Sequence, residues 1–377
     1  MKSPFVFTFV MAIVGAIIGA GFVSGKEIVS FFGGTGYYAL ILLMLVAILF
    51  FLVLYVFAKL GKIIKPKNIS DITTAMFGRG GVFVDFGFIL STFITLSSML
   101  AGSDSIGQIM FGANYNFCYI GILTAMIVTL IVFWGLKYIY KITDIILPIM
   151  LILILFAVFI FILSQPRQVA TYAVVGKNAF SAIIYVFLYV FMNTFSNIFI
   201  VAKSGQFLYK KQVGLASVVT SLVLTILVGL ILVAILHGGD EIFTSDMPML
   251  AVANSISVVF GVIYSFALWL AIFTTICVAA YTIVQWLNQY INSKFICAVI
   301  TLSLGFIFSR FGFATIVDIF YPIEGIFGGV FIVYTFVFYL KNKNLINLEN
   351  NKAKNGDLKY IKKTKKNGRV RTTKKYL

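Results

Sequence analysis

Charge is what this sequence has least of. Only 11% of its 377 residues are Asp, Glu, Lys or Arg, against 61% hydrophobic residues and a mean hydropathy of +1.05. Soluble domains carry roughly a quarter of their residues as charges, so a water-soluble fold is excluded for want of polar surface. Histidine is nearly absent, with His237 alone, and the three cysteines, Cys118, Cys277 and Cys297, lie in apolar runs without metal-ligand spacing. They read as small hydrophobes, not as a disulfide framework. No paired His/Asp metal spacing falls in an apolar run, and no serine sits in a recognisable nucleophile motif. An enzyme and a cofactor are therefore not expected, and neither is a channel, since no selectivity-filter pattern occurs.

What is abundant is apolar run length. A membrane-spanning helix needs about 20 apolar residues, and nearly all of Phe5 to Leu340 divides into such runs with short polar breaks. The spans are placed at Phe5 to Phe32, Tyr37 to Leu60, Val82 to Met110, Phe117 to Trp134, Tyr138 to Leu163, Ala179 to Ala202, Val213 to Leu236, Val258 to Tyr290, Phe295 to Ser309 and Ala314 to Leu340. This predicts an all-α integral membrane fold of about ten helices. Basic residues collect in alternate loops: Lys2, then Lys59 to Arg79, then Lys137 and Lys141, then Lys203 to Lys211, then Lys294 and the C-terminal tail. By the positive-inside rule both termini are cytoplasmic, at the cell membrane, which an even number of spans satisfies. The net charge of +17 owes much to the tail, residues 341–377. That tail is expected to be disordered and drawn to anionic lipid headgroups, with no nucleic-acid partner. The connection from His237 to Ser257 carries an apolar patch, Met247 to Ala253, too short to span, which reads as a lid or re-entrant element over an external vestibule, or as a loop helix resting on the membrane surface.

Two spans contain residues that oppose a continuous helix. The first holds Gly15-Ala16-Ile17-Ile18-Gly19-Ala20-Gly21-Phe22-Val23-Ser24-Gly25, a concentration of glycine near mid-membrane that favours unwinding. The same spacing also suits a small-residue helix contact. The sixth holds Phe191-Met192-Asn193-Thr194-Phe195-Ser196-Asn197, with two amides and two hydroxyls at its centre, and a break is expected near Asn193 and Thr194. Breaks in the first and sixth of ten spans are what two inverted five-helix repeats would give, here about 5–163 and 179–340. A small-molecule solute would then bind among Gly19, Ala20, Gly21, Phe22, Phe191, Asn193, Thr194 and Phe195, with the three phenylalanines as candidate walls.

The spans together with Gly19-Ala20-Gly21-Phe22-Val23-Ser24-Gly25-Lys26-Glu27 resemble the YkvI-like family of bacterial membrane proteins. That family lies within the amino acid, polyamine and organocation transporter superfamily, which shares the LeuT fold. The likeness covers roughly residues 5–340. It implies a secondary transporter whose sodium-coupled members hold the ion between the first-helix break and the eighth helix. The first-helix pattern Gly-x-x-x-Gly-x-Gly is matched by Gly15 to Gly21 and would supply the carbonyls of Gly15 and Ile18. The eighth-helix pattern is matched by Ala271-Ile272-Phe273-Thr274-Thr275. Offsets of three and four residues bring the Ala271 carbonyl and the Thr274 and Thr275 hydroxyls to one helix face, and hard oxygen donors suit an alkali cation. Buried threonines also commonly bond their own helix carbonyls, which is the plainer alternative. Proton-coupled relatives often carry a lysine in the fifth helix; residues 142–163 contain neither Lys nor Arg, which favours sodium as the coupling ion.

Five ionisable residues fall at membrane depth, where charge costs several kcal/mol: Lys26, Glu27, Asp104, Asp318 and Glu324. They could form an external gate or a structural cluster of ion pairs, although adjacent Lys26 and Glu27 cannot face one way on one helix. Asp85 and Asp144, nearer helix ends, are expected to pair with loop lysines or water. Pro322 is expected to kink the tenth span beside Glu324. The reading that follows is a sodium-coupled symporter of an amino acid or related small amine. The alternatives are a ligand sensor on the same scaffold, resembling germination receptors, and a proton-coupled transporter using the deep acids.

Overall fold

In hydrocarbon a backbone amide or carbonyl finds no water, so each apolar run has to close its hydrogen bonds within itself. The computed structural model follows that rule. It describes residues 4–36, 38–112, 119–134, 137–168 and 178–352, and among these no strand occurs. The helices are α1 Pro4–Ile17, α2 Ala20–Ser24, α3 Lys26–Phe32, α4 Tyr38–Ile64, α5 Ile69–Phe77, α6 Gly81–Phe111, α7 Tyr119–Trp134, α8 Lys137–Ser164, α9 Ala179–Ser196, α10 Ile198–Gly205, α11 Gln212–His237, α12 Gly239–Thr244, α13 Pro248–Ile256, α14 Val258–Leu287, α15 Lys294–Ser309, α16 Phe313–Thr315 and α17 Tyr321–Lys352. Among the described residues 7 stretches are long and apolar enough to cross a membrane. Shorter apolar helices lie at Phe5–Ile17, Tyr119–Val132 and Lys294–Ser309. The chain is a multi-pass membrane protein.

Its surface is apolar as well as its core: Tyr38, Phe83 and Val258 are 77%, 84% and 78% exposed, on helices whose other faces are buried. An apolar belt of this extent is stable only against lipid. Inside, α4 lies along α11, α6 along α14 and α7 along α15.

Two local features depart from the sequence-based expectation. Between α16 and α17 the chain makes a π turn, Ile316–Phe320. Pro322 has no amide to offer the Asp318 carbonyl four residues back, so the helix widens just before it. Secondly, helix continues beyond Leu340 to Lys352, into the segment expected to be disordered; the rest of the tail, Asp144's side chain and Cys118 lie outside what the structure describes. Asp85 pairs with neither lysine nor solvent alone: it accepts from Ser70 and Thr73, both at 2.7 Å, fastening α5 to α6.

Candidate functional site

The first span is cut twice. In a continuous helix the Gly19 amide would bond the Gly15 carbonyl; here it reaches Ile17 at 2.8 Å instead. Gly19 is extended (φ −84°, ψ 179°), and a Cβ built on it would meet nothing within 4 Å, so open space lies beside the break. Gly25 closes the five-residue α2 with φ +80°, the left-handed region where a side chain is strained. The Ser24 hydroxyl donates to the Gly21 carbonyl at 2.7 Å, and Tyr264 of α14 donates to Val23 at 2.9 Å. Released carbonyls are thus partly re-satisfied by side chains.

The sixth span is interrupted at one residue, Asn197 (φ −112°, ψ 10°), between α9 and α10. This is beyond the expected position. Asn193 and Thr194 remain within α9, and their side chains bond back to the carbonyls of Tyr189 and Val190 at 3.1 and 2.7 Å. At Asn197 the side-chain amide takes the Asn193 carbonyl (2.9 Å), while the backbone amide turns to Thr194 (3.2 Å). One asparagine thereby substitutes for its own helical hydrogen bond. α1 lies against α10, and α3 against α9, so the two interrupted spans run antiparallel with their interruptions side by side.

The five deep ionisable residues do not make one cluster. Lys26 pairs with Asp318 at 3.2 Å, and Asp104 pairs with Arg310 at 2.7 Å while accepting the Gly121 amide at 2.8 Å. Glu27 turns the other way and folds back over α2, where a Cβ on Gly21 would stand 2.1 Å from its Oε1. With any other residue at position 21 that carboxylate would have to move. Glu324, 3% exposed, accepts on Oε1 from Ser91 of α6 and Ser196 of α9. Among the described residues neither carboxylate has a Lys or Arg partner. Ser98 and Tyr321 share a hydrogen bond of 2.7 Å nearby. Glu27 lies close enough to Glu324, Tyr189 and Tyr321 to interact with each electrostatically. Two buried polar atoms here have no hydrogen-bond partner, Glu27 Oε2 and the Tyr189 hydroxyl.

The proposed cation ligands are arranged differently from one another. Thr274 and Thr275 both donate to the Ala271 carbonyl, at 3.0 and 2.9 Å, so the three oxygens do share a face. α14 packs on α2. Gly15 and Ile18 belong to the other side of the break, where α1 lies on α10 and α11, and a Cβ on Gly15 would meet Leu147 of α8 at 2.6 Å. Of the candidate aromatic walls, Phe22 is fully buried on α2. Phe191 and Phe195 instead face α17, against Gly328 and Gly329, and Phe195 also meets the rings of Phe88 and Phe331. Ala20 begins α2.

Sequence reasoning passed over Ser91, Ser98, Tyr189, Tyr321 and Arg310. One signal was present: Ser91, Thr95 and Ser98 recur at offsets of four and three, a polar stripe down an otherwise apolar span. Above the site, the apolar patch of the long connection is part of α13, where Met247, Met249, Leu250, Val252 and Ala253 are buried among α2, α8, α11 and α14. Met249 rests on Gly25. The segment is inserted into the bundle and does not lie on its surface. A cavity of 380 Å³ lies beside it, with Gln165, Gln168, Glu241 and Asn254 in its lining.

No family model matches the chain. It is similar to the uncharacterized membrane protein YkvI of Bacillus subtilis (strain 168), with 23% identity over 321 residues, 83% of this chain and 90% of that one. Among solved structures it is similar to MHP1, a nucleobase-cation-symport-1 family transporter, in a closed conformation with bromovinylhydantoin bound. There the TM-score is 0.59 at 16% identity, covering 89% of this chain and 78% of that one. It is also similar to MhsT in complex with L-phenylalanine, with a TM-score of 0.51 at 16% identity and 88% of each chain covered. The chain has the fold of these two proteins, the LeuT fold.

Proposed function

We propose that this chain is a secondary active transporter that carries an amino acid or related small amine across the cell membrane by alternating access, with sodium as coupling ion. The observation that carries the reading is the pair of interruptions, at Gly19 and Asn197, side by side in antiparallel spans, with the buried Glu27 folded over α2 and the buried Glu324 bonded to Ser196 next to Asn197. Discontinuous helices meeting at mid-membrane are how this fold builds a solute site. On this reading there are ten spans in two inverted repeats, 5–163 and 179–340, broken in the first and sixth. Both termini are cytoplasmic, and the tail from 341 meets anionic lipid. MHP1 and MhsT, one bound to bromovinylhydantoin and the other to L-phenylalanine, lend support for a small organic solute.

Sodium would be held by Thr274, Thr275 and Ala271 with the carbonyls of Gly15 and Ile18, once α1 approaches α14. Thr274→Ala removes one oxygen ligand and should weaken the apparent sodium affinity of uptake about tenfold, roughly one hydrogen-bond-sized loss. The check is uptake in proteoliposomes under an imposed sodium gradient, compared with a proton gradient alone. Specific observations favour a second reading: the Ala271 carbonyl already accepts from both threonine hydroxyls, and among the described residues Glu27 and Glu324 have no Lys or Arg partner. Uptake that follows pH and ignores sodium would make the transporter proton-coupled. Ligand binding without any net flux would make it a sensor.

Lys26 and Asp318 would act as an external gate. The Asp318 side chain is 45% exposed, so the pair contributes at most about 1 kcal/mol. Lys26→Met should therefore leave stability nearly unchanged but speed labelling of a cysteine introduced at position 22 by up to about fivefold, the equivalent of that energy. Exchanging the two charges, Lys26→Asp with Asp318→Lys, should restore the slow rate. An unchanged rate in Lys26→Met would assign the pair a purely structural role.

A further inference from the structure

The two unpartnered atoms beside the break differ in what they require. Glu27 is 7% exposed, and its Oε2 has no donor; Tyr189, fully buried on α9, has a hydroxyl with neither donor nor acceptor. An unpaired buried carboxylate oxygen costs several kcal/mol, which a donor carrying positive charge would recover. Lys26, the neighbour of Glu27 in the chain, is paired with Asp318, and among the described residues no Lys or Arg pairs with Glu27. Around the Tyr189 ring stand Phe31, Phe32 and Phe50, with centroids 5.5, 5.1 and 6.1 Å away. An inorganic cation needs several hard oxygen ligands, which aromatic rings do not supply. An alkylammonium needs one or two oxygens and gains from aromatic faces.

We propose that Glu27 and Tyr189 receive the ammonium group of the transported solute, and that this solute is an organic amine without a carboxylate. The inference rests on the transporter reading above and narrows its substrate class. A carboxylate on the solute would enter a space already holding Glu27 and Glu324, with Lys26 committed to Asp318. The five-residue α2 offers too short a dipole to offset that repulsion. Gly21 and Glu27 belong together for the same reason: the glycine makes room for the carboxylate that marks the solute's charge.

The experiment is calorimetric titration of the full-length protein in lipid nanodiscs, at fixed pH in potassium chloride, with n-butylammonium, ethanolammonium, L-alanine and L-leucine. An amine should bind at least about 100-fold more tightly than either amino acid. Glu27→Gln, nearly isosteric, should lose about 100-fold in amine affinity, and Tyr189→Phe about fivefold. Glu27→Asp, which keeps the charge, should retain part of the binding, and so guards against loss through misfolding. Tighter binding of an amino acid, no amine binding, or amine binding indifferent to Glu27→Gln would each overturn the proposal. So would a Glu27-dependent site that takes sodium alone. Net flux in proteoliposomes separates the two readings. Glu27-dependent amine binding without flux would end the transporter reading and leave only the ammonium site of this one; amino acid flux without amine binding would overturn this one and leave the transporter reading.

Discussion

Gly61→Val should lower resistance to unfolding by about 3 kcal/mol, near the upper end of what overpacking costs. A Cβ at Gly61 would stand 1.9 Å from the Ala202 carbonyl oxygen, a backbone atom of α10 that no rotamer change can move away. The contact is reciprocal, since a Cβ at Gly205 would stand 2.5 Å from the Ala58 Cα. In a bilayer, where lipid competes equally for apolar side chains, such backbone approach is a main source of helix association. The measurement is detergent-induced unfolding of the purified protein. Gly214→Val serves as control, because a Cβ there meets nothing within 4 Å. Equal stability of the two variants would mean that α4 and α10 do not approach as described.

Glu324→Ala should abolish transport, reducing initial uptake by about 100-fold, and should cost about 2 kcal/mol of stability by leaving the Ser91 and Ser196 hydroxyls without their acceptor. Glu324→Gln separates the two effects. Its amide oxygen can still accept both hydroxyls, so stability should stay within about 1 kcal/mol of the parent. Uptake should nevertheless fall with it, because a carboxyl group able to gain and lose a proton beside the break has gone. Unimpaired uptake in Glu324→Gln would make this residue a tie between helices and nothing more.

Much of the fold was legible because run length and backbone satisfaction leave one solution in lipid. The all-helical, multi-pass character follows from this: 7 described stretches are long and apolar enough to span, and the described helices occupy the expected apolar runs. The glycine-rich stretch coincides with departures from α geometry at Gly19 and Gly25, whose backbone conformations a continuous helix does not contain. The second interruption lies beyond the expected position: Asn193, Thr194 and Asn197 each bond a side chain to the carbonyl four residues back, but only at Asn197 does the backbone amide leave that carbonyl for Thr194, and residue type alone does not distinguish the three. The deep charges were found and their pairing was not. Which of Asp104, Asp318 and Arg310 meet depends on how helices far apart in the chain pack, and periodicity within one helix carries no information on that. For the same reason Ser91 and Tyr189 went unnoticed: each looks like one more residue of an amphipathic stripe until Glu324 and Glu27 arrive from other spans.

The two halves of the sixth span are fastened to different neighbours. α10 is held to α4 backbone against backbone, through Gly61 and Gly205. α9 is held as closely to α17, where Cβ atoms on Gly325 and Gly328 would stand 2.6 and 2.8 Å from the carbonyls of Leu188 and Phe191. α4 also packs on α9 and α17, through the ring pairs Phe50–Tyr189 and Phe57–Phe331, so it spans the interruption and supports both halves of the span at once. Asn197 is the one point of this span without α geometry, and its side-chain amide already stands in for the hydrogen bond that bending there would break.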